Sequence, residues 1–309
     1  MIKNIDEFNL KLHKDSTAFI EESDNDYFSQ VRKVAQIIEE NTYKTPIILL
    51  SGPSGSGKTT TALNVEHILD NKGAETHTLS LDNYFRTIDG RDMRLLEEGR
   101  LDLESPDRVD KDFLNSQLEK MIKCEPIELP KYDFKSAKRV KSGITLSRKH
   151  NEPVILEGIH SLNPDVIEIP EEQTLKIYVS VRTRVKYGGI TMHPSYIRLL
   201  RRMMRDSLFR GRPIEETIKM FRSVEIGAEK HIMPYKSRSD IDVDTFIPYE
   251  LSVYKKFLLD KLKECDDSVK DERLSEVIRV LSAVDGLDEE KVPKNSLIRE
   301  FIGNGNFEY

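Results

Sequence analysis

The chain has 309 residues, 33% of them charged and 38% hydrophobic, with a formal net charge of -6. That length and apolar content suffice for a buried core in one large domain or two, and the acidic balance excludes a protein that coats nucleic acid through overall charge. Two distant cysteines, Cys124 and Cys265, exclude a disulfide framework; no apolar run approaches the ~18 residues of a membrane span, and Asp6, Glu7 and Asp15 leave no signal-peptide core.

The expectation is therefore a cytoplasmic protein with no membrane or nucleic-acid partner. Within residues 1 to 44, Tyr27, Val31, Val34, Ala35 and Ile38 recur at helical spacing and predict a packing helix, with Pro46 marking its boundary. Ile47 to Leu50 is an apolar strand running into Gly52-Pro53-Ser54-Gly55-Ser56-Gly57-Lys58-Thr59, after which Leu63, Val65, Ile68 and Leu69 continue as a helix. This is G-x-x-x-x-G-K-[ST] with a strand before it and a helix after it. Backbone amides in such a loop wrap a polyphosphate at the positive end of a helix. The predicted nucleotide-binding residues are Gly52, Ser54, Gly55, Ser56, Gly57, Lys58, Thr59 and Thr60, with Lys58 on the terminal phosphates and the Thr59 hydroxyl on Mg2+.

Thr76 to Leu81 reads as a second strand, ending at Asp82-Asn83-Tyr84-Phe85. The carboxyl ends of strands are where open α/β sheets bind ligands, so Asp82 is the candidate general base for a hydroxyl acceptor; capping of the next turn is the structural alternative. Residues 86 to 109 are polar and irregular, as in a binding loop, and a helix follows from Asp110 through Phe113, Leu114, Leu118 and Met121. Ile127 to Pro130, Tyr132-Asp133-Phe134, the basic run Lys135, Lys138, Arg139 and Lys141, and the alternation through Val140, Ile144 and Leu146 suggest a small β element beside the main sheet. Tyr84, Phe85, Tyr132 and Phe134 could form an aromatic wall for a planar base or sugar, with core packing as the alternative. Val154 to Leu156 is an apolar strand ending at Glu157-Gly158, which makes Glu157 a second group on the Mg2+ side.

After a strand over Leu175 to Val181, Arg198, Arg201, Arg202 and Arg205 lie along one side of a helix, and Arg210 and Arg212 flank Gly211. The planar guanidinium suits phosphate. A lid over the phosphate loop is weighed against a solvated basic face or a nucleic-acid patch. Asp242 to Ile247 is a last short strand, Tyr249 to Leu262 a helix, residues 266 to 272 an acidic link, and Leu274, Val277, Ile278 and Leu281 a further helix; the tail from Val292 to Gly303 has apolar residues to dock. Alternating buried strands and helices predict an α/β fold with a mainly parallel, doubly wound sheet. Its expected divisions are a helical extension over 1–44, a core over 45–265 with the lid at about 185–212, and a docked C-terminal segment over 266–309. Neither His160 nor His193 has a partner at metal-ligand spacing.

In this order, the phosphate loop, Asp82-Asn83-Tyr84-Phe85, Ser105-Pro106-Asp107, Tyr132-Asp133-Phe134, Glu157-Gly158-Ile159-His160, the arginine segment, Ile232-Met233-Pro234-Tyr235 and the closing Ser296 to Gly303 resemble the uridine kinase and phosphoribulokinase family of P-loop kinases, and bacterial uridine kinase-like nucleoside kinases in particular. The resemblance implies transfer of the γ-phosphoryl of ATP or GTP, with Mg2+, to the 5'-hydroxyl of a nucleoside such as uridine or cytidine. It implies Lys58, Asp82 and Arg205 as catalytic; Arg202 and Arg210 on the nucleotide phosphates; and Asp82, Phe85, Glu104, Tyr132, Phe134 and Arg212 on the acceptor. Ala137 stands where uridine-cytidine kinases place a base-reading histidine, and Met220 where they place a substrate-contacting glutamine. Another nucleoside, a sugar phosphate or a pantothenate-like alcohol stays open as acceptor, as do a regulatory module without efficient transfer and assembly as a homo-oligomer.

Overall fold

The computed structural model describes residues 1–98, 101–134, 136–269 and 271–308. A short strand, β1 (Ile2–Asn4), leads into a long helix, α1 (Ile5–Asn41). Asp15 interrupts α1 with extended backbone angles, and its carboxylate accepts from the Ala18 amide at 3.0 Å, capping the second segment. There follow β2 (Ile47–Ser51), α2 (Lys58–Asn71), β3 (His77–Ser80), α3 (Gly90–Glu97) and α4 (Lys111–Ile122). The hairpin β4 (Ile127–Asp133) and β5 (Lys138–Leu146) precedes β6 (Val154–Glu157), β7 (Thr174–Ser180), β8 (Arg184–Tyr187) and β9 (Ile190–Met192). The chain continues through α5 (Pro194–Phe209), α6 (Ile214–His231), β10 (Ile241–Asp244), α7 (Glu250–Val269), α8 (Glu272–Ala283) and α9 (Arg299–Ile302).

The main sheet has five parallel strands in the order β10-β7-β2-β6-β3. Every residue of β2, β6 and β7 is buried, as continuous apolar runs require when helices cover both faces. The two faces carry separate cores. Ile48 and Leu50 point with Ile155 and Ile177 into the larger one, shared with α1, α2, α5 and α7; Ile47 and Leu49 point with Val154 and Leu156 into the smaller one, shared with α4 and the β4 strand. This period of two places β2 in both cores at once.

Three features depart from the sequence reading. Residues 90 to 97 of the irregular stretch are helical, a segment of eight residues with only Met93, Leu95 and Leu96 apolar and so too short to establish a period. Residues 184 to 192 fold as a hairpin, and β1 pairs in parallel with β8, Ile2 opposite Arg184; strands of three or four residues are too short to show an alternation. The acidic stretch is mostly helical in backbone, because α7 runs to Val269 and α8 starts at Glu272, capped by Asp271. Lys135 of the basic run and residue 270 lie outside the described residues.

Candidate active site

Ser51 ends β2 and the chain turns through the phosphate loop into α2. Gly52 has no alternative there, since a Cβ would lie 1.9 Å from the Val179 carbonyl oxygen, and Gly55 and Gly57 hold φ angles of 77° and 83°. The loop is gripped from α5 and the end of β10. Arg198 Nη1 donates to Ser54 O at 3.2 Å, Arg201 Nη1 to Gly55 O at 3.3 Å, Arg202 Nη1 to Ser54 Oγ at 2.5 Å, and Thr245 Oγ1 to Ser56 O at 2.6 Å. A trans peptide sets its N–H opposite its C=O. Anchoring the Ser54 and Ser56 carbonyls therefore turns the Gly55 and Gly57 amides to the other side, where a phosphate would sit. Arg201 is fully buried and pairs with Glu250 at 2.7 Å, whose buried carboxylate compensates the guanidinium.

The arginine segment thus lies over the phosphate loop, but in two different roles. Arg198, Arg201 and Arg202 are buried on a helix whose Ile197, Leu199, Leu200, Met203 and Met204 are also buried, which rules out a solvated basic face for these three. Arg210 and Arg212 turn back to the buried Asp206, at 3.2 and 3.0 Å, and Arg212 also faces Glu216 at 3.6 Å. Arg205 sits between, 3.7 Å from Glu300.

Three carboxylates lie within charge reach of Lys58, whose ammonium donates to Pro53 O at 3.4 Å. Asp82 lies in a turn after β3, where burial pushes its pKa up while Lys58, Arg205 and Arg210 pull it down. Glu157 ends β6 opposite Ser80 and Leu50. Burial pushes its pKa up to about 7, against Lys58 and with the help of Asp82. Gly158 lets the end of β6 pack against the turn that carries Asp82, because a Cβ there would lie 2.5 Å from Leu81 Cβ. Glu104 is raised by burial and lowered by Arg202 and Lys58; its loop closes against α6 at Gly227, where a Cβ would come 2.5 Å from Glu104 Cβ.

Buried polar atoms without a hydrogen-bond partner include Ser56 Oγ, Glu104 Oε2, Arg202 Nε and Arg205 Nε. Buried polar groups are normally paired, so this concentration around one loop is what a polar ligand site requires. Among the described residues no cluster of three His, Cys, Asp or Glu side chains could hold a metal unaided. Thr59 and Glu157 fit Mg2+ in the manner that ion prefers, one carboxylate and one hydroxyl with the remaining ligands from phosphate and water.

Beside the β4–β5 hairpin, Phe85 and Tyr132 meet edge to face at 5.7 Å, and Tyr132 and Phe134 at 5.1 Å. Phe134 is 66% exposed. Tyr84 is not part of this wall: it is buried against Phe113, and its hydroxyl donates to Gln117 Oε1 at 3.0 Å. Arg108 went unnoticed in the sequence. Buried beside the Ser105 cap, it donates to the Tyr132 hydroxyl at 3.1 Å and lies over the Phe85 ring, and only its place next to Ser105-Pro106-Asp107 hinted at it. His160 is buried 6.4 Å from His231, itself 3.0 Å from Asp102; burial first, and then His231, push the His160 pKa down to about 4.

The family model described as "Phosphoribulokinase / Uridine kinase family" matches residues 47–250. A uridine kinase of Lactobacillus helveticus (strain DPC 4571) is 31% identical over 202 residues, covering 65% of this chain and 86% of the relative. A uridine kinase of Staphylococcus aureus (strain Newman) is 30% identical over 198 residues, covering 64% and 86%. Among solved structures, a Silicibacter sp. TM1040 protein assigned as a fructose transport system kinase aligns with a TM-score of 0.50 at 14% identity, covering 69% of this chain and 98% of that one, a likeness of fold alone.

Proposed function

We propose that this chain, which belongs to the phosphoribulokinase / uridine kinase family, transfers the γ-phosphoryl group of ATP or GTP to the 5'-hydroxyl of a nucleoside, uridine or cytidine first among them. One observation carries the reading: the turn after β3 brings Asp82 within charge reach of Lys58, Arg205 and Arg210, and the Glu104 carboxylate, one oxygen of which has no partner, is within reach of the same Lys58. In-line transfer needs that arrangement, because catalysis of phosphoryl transfer is mainly positioning and charge stabilisation.

In this reading the loop amides and Lys58 hold the β- and γ-phosphates, and Arg202 and Arg210 add charge from above. Bound Mg2+, held by Thr59 and Glu157, supplies neutralisation of phosphate charge. Asp82 orients the acceptor hydroxyl and takes its proton as the new O–P bond forms and the bond to the departing nucleoside diphosphate breaks. Glu104 accepts from the acceptor's sugar hydroxyls, Arg212 reaches the same side, and Phe85, Tyr132 and Phe134 border the base. A cytoplasmic setting belongs to the same reading, consistent with two cysteines that form no disulfide.

A second acceptor class is favoured by one position. Ala137 sits in the β4–β5 turn with a φ of 55°, and its carbonyl accepts from the Ile88 amide at 3.0 Å. It presents no side-chain polar group to read a base edge, and a site without such groups discriminates weakly by them; another nucleoside or a sugar-derived alcohol would be tolerated. The deciding experiment is a coupled turnover assay with ATP and GTP against nucleosides, sugar phosphates and pantothenate, products identified by mass. A nucleoside 5'-monophosphate is the expected product. Turnover of a non-nucleoside alone selects the second class, and nucleotide binding with no acceptor-dependent turnover overturns the kinase reading.

A further inference from the structure

The C-terminal segment, outside the stretch matched by the family model, reaches the phosphate loop from behind. Ser296, Leu297, Ile298, Arg299, Glu300, Phe301 and Ile302 are all buried. Leu297 covers Gly57 so closely that a Cβ there would lie 3.0 Å from Leu297 Cδ1, and the Phe301 ring lies under the Arg201 guanidinium at 5.1 Å. Gly303 turns with a φ of 80°, where a Cβ would come 2.7 Å from Phe209 Cζ at the end of α5. Much of what seats this segment is apolar.

Yet its centre is a charged residue. Glu300 Oε2 accepts from Thr60 Oγ1 at 2.5 Å, one residue beyond Thr59, and Glu300 Oε1 lies 3.7 Å from Arg205 Nη1. Burying a carboxylate is costly unless it is paired, and the Thr60 bond by itself needs only an acceptor oxygen, which a neutral amide also offers. The ionic half of the arrangement is therefore directed at Arg205, and Arg205 in turn acts on Asp82. We propose that Glu300 is a positioning residue of the phosphoryl-transfer site: it ties the first turn of α2 to the C-terminal segment and fixes the Arg205 guanidinium between Asp82 and the phosphate position. The proposal rests on the phosphoryl-transfer reading above.

Glu300→Gln separates the two halves, since it keeps an oxygen for Thr60 and removes the charge facing Arg205. The expected result is a kcat lower by roughly ten- to a hundredfold, the scale on which misplacing a reacting group is felt, with KM for ATP changed by less than about threefold and thermal melting little changed. In an Arg205→Ala background the same change adds less than about twofold, because both variants remove one interaction. A merely structural Glu300 would instead lower melting temperature and ATP affinity together, and its effect would add to that of Arg205→Ala; either pattern, or an unaltered kcat, overturns the inference. If the wild-type protein transfers to no acceptor, the same comparison is made on its slow ATP hydrolysis, with water as the acceptor. Loss of hydrolysis in Glu300→Gln then keeps the inference while the nucleoside reading falls. A wild type with neither transfer nor hydrolysis sinks both.

Discussion

Lys58 acts on two carboxylates at once: it pulls the pKa values of half-buried Asp82 and buried Glu157 down against their desolvation, while Asp82 adds to the rise at Glu157. Replacing Lys58 with Ala is expected to abolish turnover, whereas Asp82→Asn should keep ATP binding and lower kcat by roughly a hundredfold, the scale of a positioned acid-base group; kinetics beside calorimetric ATP titration checks both. Glu157 makes a separate prediction for the ligand-free protein. Its pKa is raised from 4.5 to about 7 by burial, so between those values the folded state holds a proton that the unfolded chain has released. Stability contributed by this group is thus present below about pH 4.5 and is lost as pH rises through about 7. Glu157→Gln should flatten that decline, by an amount on the order of 3 kcal/mol at about 1.4 kcal/mol per unit, read from urea unfolding at pH 5 and pH 8.

The phosphate loop, the strand before it and the carboxylates at or just past strand ends were legible because each has a local signature: glycines before a Lys-Thr pair, or an apolar run closed by an acid. What escaped notice depends on distance in sequence. Arg108 gains its role only when β4 brings Tyr132 to it, and Tyr84 reads like its neighbour Phe85 although the turn at Leu81–Tyr84 sends it into the core. The pairing of β1 with β8 joins segments about 180 residues apart and leaves no periodic trace. Helix α6 shows what such non-local contacts cost. Gly227→Ala should gain helix propensity, about 1 kcal/mol, yet its methyl group must displace Glu104, whose Cβ is 2.5 Å away. The expected outcome is an acceptor KM raised several-fold with ATP KM unchanged, measured in the coupled assay.

Across the whole molecule, α1, the residue just before α7 and the C-terminal segment meet at one buried polar knot. Asp24 accepts from Tyr249 Oη at 2.8 Å and from Ser296 Oγ at 2.9 Å, and burial pushes its pKa up to about 6 despite those bonds. Asp24→Ala would leave the Tyr249 and Ser296 hydroxyls, 2.6 Å apart, with only each other and one O–H without an acceptor, and the expected loss is roughly 2 to 4 kcal/mol in urea unfolding, more than a surface substitution produces. The flanking segments share the large core with the sheet, so the loss should appear as an earlier single transition and not as a separate melting of the ends.

The position of β2 in both cores has a kinetic reading as well. Its amides are bonded to strands on either side and its side chains are covered above and below, so Leu49 and Leu50 should exchange hydrogen for deuterium only when the whole fold opens, among the slowest sites in the chain. Because the phosphate loop is the continuation of that strand, nucleotide saturation at a hundred times Kd should slow exchange there by about a hundredfold, equivalent to about 2.7 kcal/mol. Deuterium uptake at two leucines would then report nucleotide affinity without any turnover at all.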